Sequence, residues 1–223
     1  MSEDLSKVIE RLEEDIVFGR RRPRERLLEE DLVAQFGAKK HVIRQALAEL
    51  ERMGLVERKR NKGAIVRDYT PEEVRQIFAV RELLEAEAAR QIPLPAPQDV
   101  IEALQEIYQA HSHAVQSGDL HTAFRANIRF HQTLFRACGN PYLAEAINSF
   151  AFKSHGVRSY SLAKPDLLRN ARDEHREMIE VLSTGSRERL IELCTDHLKP
   201  TVRAYTEAYE QIFGPALQRS AGT

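Results

Sequence analysis

The sequence predicts a mainly α protein in two parts: three helices with a small hairpin, then a larger C-terminal all-α antiparallel helical bundle. Three observations carry this. Apolar residues recur at steps of three and four over most of the 223 residues. Two short β-rich segments bracket the turn Asn61-Lys62-Gly63, and strand signals vanish after Tyr69. A 42% hydrophobic content is enough for a real core.

Leu5, Val8, Ile9, Leu12 and Ile16 share one helical face, giving a first helix that ends near Gly19. "LLEEDLVAQFG" gives a second helix closed by Gly37, and "KHVIRQALAELERMG" a third closed by Gly54. "LVERKR" and "AIVRDY" then read as two strands around the glycine turn. Three helices and a hairpin in this order predict an N-terminal winged helix-turn-helix over residues 1–69.

Beyond it, "TPEEV" opens a long helix, with Thr70 and Glu73 spaced as a capping box and Pro71 in the first turn. Breaks at "IPLPAPQ", "SGD", "CGNP", "AKP" and "STGS" divide residues 70–216 into about six helices, and "LQRSAGT", residues 217–223, reads as a flexible tail. The N-terminus opens with acids and the apolar runs are short, so neither a secretion signal nor a membrane span is expected. Cys138 and Cys194 are too few for a disulfide framework. Together these features predict a cytoplasmic protein.

The formal charge of -1 conceals an asymmetry. Residues 20–67 carry 14 Lys and Arg against 7 Asp and Glu, whereas residues 68–223 carry 17 against 21. The N-terminal unit is therefore expected to meet a polyanion. In its third helix Ile43, Ala46, Leu47 and Leu50 form the buried stripe, so Lys40, His41, Arg44 and Gln45 project from the opposite face. Arg44 suits a guanine edge and Gln45 an adenine, while Lys39 and Lys40 mainly neutralise phosphate. Arg58, Arg60 and Lys62 at the hairpin tip suit backbone or minor-groove contact.

The stretch from Gly19 to Val66, with its "L…L…FG…R.AL..L...GLV…..G..V" pattern, resembles the winged helix-turn-helix of the GntR transcription regulators. Members usually carry Ser-Arg-Thr-Pro-Val-Arg-Glu-Ala-Leu where this chain has Lys39-Lys40-His41-Val42-Ile43-Arg44-Gln45-Ala46-Leu47. Lys39 in place of Ser removes an N-cap, worth roughly 1 kcal/mol, and sets a cation at the positive end of the helix dipole. Lys40 in place of Arg keeps charge without the bidentate fork.

Polar residues also fall on greasy stripes. Leu120, Phe124, Asn127, His131, Leu134 and Cys138 line one helix; Leu168, Ala171, His175, Met178 and Leu182 a second; Leu190, Cys194 and His197 a third. Several buried polar groups without partners would each cost a few kcal/mol, roughly, and a divalent metal held by His131, His175 and His197 would satisfy them. His111 also falls on its stripe and is a rival ligand, while His113, His121 and His155 fall off theirs and read as surface residues. Arg81 lies on the stripe Val74, Phe78, Arg81, Glu85, Ala88. It suits either an internal ion pair with Glu85 or an anchor for an effector carboxylate.

Residues 71–214 are similar to the FCD domain of the FadR-like GntR branch, many of whose members bind a metal through an Asp-x-x-x-His pair and two later histidines. "NIRFH", "DEHREMI" and "TDHL" match the three segments, so the resemblance implies Asn127, His131, His175 and His197 as ligands of zinc, nickel or a similar ion. The leading expectation is a regulator of a palindromic DNA operator, homodimeric because one recognition helix reads too few base pairs, and a repressor released by a small organic acid bound beside the metal, with Arg81 as its anchor. The competing expectation is a metal-dependent hydrolase built on the helical domain.

Overall fold

The computed structural model describes residues 3–59, 63–162 and 164–220. The N-terminal unit comprises α1 (Glu3–Val17), β1 (Arg26–Leu27), α2 (Glu29–Phe36), α3 (Lys40–Arg52), β2 (Val56–Lys59) and β3 (Gly63–Val66). Its core is the expected set of stripes: Leu12, Leu32, Ile43, Leu47 and Leu50 are all at most 1% exposed. Removing such side chains from water contributes about 1.5–3 kcal/mol each.

The sheet has three strands rather than two, in the order β1-β3-β2. β1 pairs antiparallel with β3 through Arg26↔Ile65 and Leu27↔Ala64. It spans two residues, too short for an alternation to register. Gly63 is the position that admits it: φ is 81°, and a Cβ there would sit 2.0 Å from the Leu27 carbonyl oxygen. β3 ends at Val66, short of the expected Tyr69; Arg67 still donates its backbone N–H to Leu55, and the Arg67 and Asp68 side chains pair with Glu73 and Arg24. Arg60 and Lys62 lie outside the described residues.

The C-terminal domain contains α4 (Pro71–Gln91), α5 (Gln98–Ser117), α6 (Leu120–Arg136), α7 (Pro141–Lys153), a 3-10 turn (His155–Val157), α8 (Ser159–Leu162), α9 (Pro165–Thr184), α10 (Arg187–Asp196) and α11 (Lys199–Ser220). Thr70 and Glu73 close the capping box on α4. Two of the six expected helices are subdivided. α7 ends where the Ser154 hydroxyl bonds the Ala151 carbonyl, and the chain turns through His155–Val157 before α8. α10 stops at Asp196 because Pro200, which lacks an amide donor, cannot carry its ladder onward. α11 runs through Ser220, so residues 217–220 are helix where a tail was expected; Ala216, Leu217 and Gln218 are good helix formers.

The principal core gathers Ala88, Ile92, Leu104, Phe130, Leu134, Met178, Leu182 and Leu190 from α4, α5, α6, α9 and α10. The two units meet over a polar contact. Glu13 and Glu14 on α1 are buried, and Arg125 of α6 reaches them at 2.6 and 2.8 Å. Glu13 also accepts from His155 Nδ1 at 2.7 Å, so His155, expected at the surface, is 2% exposed. It lies in a helix break, where periodicity has nothing to say about facing. Burial alone would raise the Glu13 carboxyl, but His155 and Arg125 outweigh it and hold it below its usual range. Burial pushes the His155 imidazole down against the pull of Glu13. No described helix is long and apolar enough to cross a membrane.

Candidate nucleic-acid interface and metal centre

α3 presents the expected face. Lys39, Lys40, His41, Arg44 and Gln45 are exposed, while Val42, Ile43, Ala46, Leu47 and Leu50 are buried. Lys39 is the N-cap and makes no side-chain cap bond, and no acid lies in the first turn. Three cationic or protonatable side chains thus crowd the positive end of the helix dipole, an arrangement that bound phosphate relieves. Arg58 is exposed on β2, its backbone N–H donating to Glu51 at 2.8 Å.

Part of the basic charge expected to face a polyanion is spent inside the protein. Arg20 pairs with Asp15 at 2.6 Å, Arg21 with Glu25 at 2.7 Å and Arg24 with Asp68 at 2.6 Å. The run "GRRRPR" therefore ties the loop after α1 to its surroundings, although Arg20, Arg22 and Arg24 remain exposed like the basic residues of α3.

In the C-terminal domain α6, α9 and the C-cap of α10 bring three imidazoles together. His131 Nε2 lies 3.1 Å from His197 Nε2 and 3.3 Å from His175 Nε2. The ligand atoms of all three fall within 4.8 Å of one another. Nitrogens bound to one zinc-like ion at about 2.0–2.1 Å stand about 2.9–3.4 Å apart for angles between octahedral and tetrahedral. The two distances from His131 Nε2 fall in that range. His111 is buried and its ring tilts against His175 at 5.0 Å, but it is not in the three-nitrogen set.

The surroundings favour neutral imidazoles. Burial, then the charge of His197, pushes His131 and His175 well below the ordinary histidine value, and burial brings His111 down to about 4. Neutral imidazole is the form that ligates a metal. Phe130 stacks on His175 at 4.1 Å, and His197 Nδ1 lies 2.5 Å from Glu174, a carboxylate that fixes its tautomer with Nε2 toward the cluster.

Among the described residues, the buried side-chain atoms without a hydrogen-bond partner are Glu85 Oε2, His111 Nδ1, Asn127 Nδ2, His131 Nδ1 and His175 Nδ1. All five belong to this one region, where native proteins rarely leave such groups unmatched. Asn127 is 7% exposed one turn before His131, and it lines a cavity of about 60 Å³ together with Arg81, His111, Arg158, Glu174 and His197. Turning the amide would present its oxygen where the unpartnered nitrogen now lies. The donor set fits a divalent cation of the zinc or nickel type, with the Asn127 amide available as a fourth, neutral ligand.

Arg81 makes the internal ion pair that was one of the two expectations for it. Its Nε and Nη2 reach Glu85 Oε1 at 2.9 and 2.8 Å, and its Nη1 donates to Ser154 Oγ at 3.0 Å, while the residue also lines the cavity. Arg158 is a second cation in the wall. Burial, then the neighbouring Arg81 charge, pushes it down to about 9, and the guanidinium keeps its proton at neutral pH. Sequence reasoning missed Arg158, Ser154, His155 and Glu174. The first three sit in short irregular segments, and Glu174 lies off its helix's apolar stripe.

Fold and site define a DNA-binding protein with an all-α sensory domain. The chain belongs to the GntR family of bacterial regulatory proteins, matched over residues 5–66, in the branch with an FCD domain, matched over residues 76–200. It is an effector-responsive DNA-binding transcription regulator. Among its relatives, a probable D-xylose utilization operon transcriptional repressor of Paenarthrobacter nicotinovorans is 25% identical over 171 residues, covering 76% of this chain and 74% of that protein. The HTH-type regulator BphR of Paraburkholderia xenovorans is 24% identical over 204 residues, covering 89% and 83%. Escherichia coli McbR/YncC has the same fold, with a TM-score of 0.78 at 21% identity, covering 94% of this chain and all of that one. A GntR regulator of Rhodococcus sp. RHA1 follows with 0.72 at 22%, covering 93% and 100%.

Proposed function

We propose that this regulator is a cytoplasmic homodimeric repressor whose FCD domain holds a divalent cation, zinc or nickel, and that a small organic acid bound beside it releases a palindromic operator. The observation that carries this reading is the convergence of three imidazoles, with His131 Nε2 3.1 Å from His197 Nε2 and 3.3 Å from His175 Nε2, beside a cavity walled by Arg81 and Arg158. His131, His175, His197 and Asn127 would hold the ion, which when bound supplies a Lewis-acidic position for a carboxylate oxygen. A neutral Asn127 leaves more positive charge for the acid to neutralise. Arg81, held by Glu85 and Ser154, would meet the carboxylate with its remaining N–H donors.

The division into a reading unit, residues 1–69, and a sensing unit, residues 70–216, follows from the same view. Lys39, Lys40, His41, Arg44, Gln45 and Arg58 contact DNA, joined by Arg60 and Lys62 at the hairpin tip. Two such faces, related by a two-fold axis, read the two halves of the operator. Coupling between the units runs over the buried contact at α1. Arg81 bonds Ser154, the neighbour of His155, and His155 bonds Glu13, which also pairs with Arg125 two residues before Asn127. Ligand binding at the cavity can therefore favour one placement of α1 over another. The relative named as a repressor supports the sign chosen.

A metal-dependent hydrolase has nothing comparable in its favour. The carboxylate bonded to the cluster, Glu174, is committed to His197 Nδ1.

The test is metal analysis of the purified protein combined with thermal shift against a panel of two- to six-carbon carboxylic acids. About one ion per chain is expected, together with an acid whose stabilisation requires the ion and is lost in Arg81→Met. Stabilisation by no acid, or by acids equally well after chelation, would overturn the reading.

A further inference from the structure

We infer that Glu29 is a positioning residue for DNA reading: its carboxylate fixes the Arg44 side chain so that the guanidinium offers its outer fork to a guanine. The inference rests on Arg44 acting as a base reader. Arg44 Nε donates to Glu29 Oε2 at 2.9 Å, and Lys40 Nζ lies 3.9 Å from the same oxygen. Glu29 is the first residue of α2, with only 18% of its side chain exposed, whereas Arg44 and Lys40 remain 55% and 53% exposed. One inward-leaning carboxylate thus holds two residues one turn apart on the reading face.

The atom used matters. A guanidinium has five N–H donors, one on Nε and two on each terminal nitrogen. Bonding Glu29 through Nε leaves the Nη1 and Nη2 pair, which matches the O6 and N7 acceptors of guanine. Without that restraint the side chain samples many rotamers and can satisfy its charge on phosphate, which carries no sequence information. Lys40 has no fork, so Arg44 is the guanidinium on this face that a carboxylate can orient.

An acid beside DNA also has a cost that separates this role from a structural one. Glu29 repels phosphate and weakens sequence-independent binding, which is set by net positive charge at the interface. Favourable interaction with the α2 dipole does not require it to lean toward α3, since Glu30 and Asp31 share the same first turn and are exposed. Removing Glu29 should therefore move two readouts in opposite directions: discrimination falls and non-specific affinity rises. A variant that merely damaged α2 would lower both.

The experiment is selection from a random duplex library with the full-length chain, comparing wild type, Glu29→Ala, Glu29→Gln and Arg44→Ala, with melting temperatures as the folding control. The wild type should select a motif in which one guanine per half-site is lost in Arg44→Ala. In Glu29→Ala the preference for that guanine should fall about tenfold, the order of one well-placed bidentate contact. Binding to unselected DNA at low salt should strengthen severalfold in the same variant. Glu29→Gln, which keeps the shape and loses the charge, should fall between them and carries the test if the alanine variant unfolds. A variant that keeps the wild-type motif and guanine preference overturns the role of Glu29, even if its affinity rises. A wild type that selects no motif overturns both this role and the reading of Arg44.

Discussion

The two halves of the molecule place polar groups in opposite ways. On α3, Lys39, Lys40, His41, Arg44 and Gln45 stand on an exposed face over an apolar stripe that reaches the core. In the FCD domain Arg81, Glu85, His111, Asn127, His131 and His175 are all 8% exposed or less, on helices whose other inward residues are mostly apolar. A surface charge costs the fold almost nothing and is worth little until a partner arrives. A buried polar group must be matched within the protein or by what it binds. The first arrangement suits reading a large polyanion, the second holding a small ligand tightly.

Arg44→Ala should have the largest effect on function. Loss of a bidentate base contact in each half-site costs about 2–6 kcal/mol of discrimination, while the melting temperature stays unchanged because the side chain is more than half exposed. Gel-shift titration against the selected operator and a non-cognate duplex, beside a thermal melt, measures both. If Arg44→Ala instead melted early, the reading face would be structural and the contrast between the two regions would fail.

Substitutions inside the FCD domain should do the reverse and act on stability first. Glu85→Ala leaves the Arg81 guanidinium buried with Ser154 as its remaining hydrogen-bond partner, at a cost of about 3–5 kcal/mol in a urea melt. Glu13→Ala at the contact between the units should cost somewhat less, since Arg125 keeps Glu14 as a partner. Adding Arg125→Ala should then cost less than its effect alone, because the pair shares one network.

The pH dependence follows from the same burial. His111, His131, His155 and His175 all have their imidazoles pushed below the ordinary value of 6.5, so the unfolded chain takes up protons before the folded one does. Their contribution to stability is complete above about pH 6.5 and is lost as pH falls through the folded values, which for His111 is about 4. Each imidazole then contributes a slope of up to about 1.4 kcal/mol per pH unit. Chelator-treated protein should melt progressively earlier from pH 7 to pH 5; a flat or rising trend would mean that these rings are solvated or paired with acids.

Asn127→Asp should produce the smallest shift. A carboxylate in place of the amide should tighten metal binding and weaken the hold on an organic acid, read by competitive metal titration and by thermal shift with the acid. Equal affinities in both proteins would separate Asn127 from the metal site.

Periodicity made much of this legible. Asn127, His131, His175 and His197 could be placed in one core because each sits on a stripe of steps of three and four, and facing follows directly from helical geometry. Arg44 and its neighbours were visible as the complement of such a stripe. What periodicity could not supply lies where the chain is irregular or where two elements meet. His155 is buried because the turn after α7 folds it against Glu13, and no pattern within residues 153–158 encodes a partner 142 positions away. β1 is two residues long, and its place is set by Gly63 rather than by its own sequence. The three acids of α1, Glu13, Glu14 and Asp15, are buried because basic partners from α6, the loop after α1 and the 3-10 turn surround them, and the pattern of α1 itself does not encode those partners.

The most direct measurement is an anomalous difference map from crystals of the protein as purified, collected at the zinc and nickel absorption edges. One peak per chain is expected, about 2.1 Å from the Nε2 atoms of His131, His175 and His197, and its disappearance in His175→Ala. A map from metal-supplemented crystals with no peak among the three imidazoles would contradict the account.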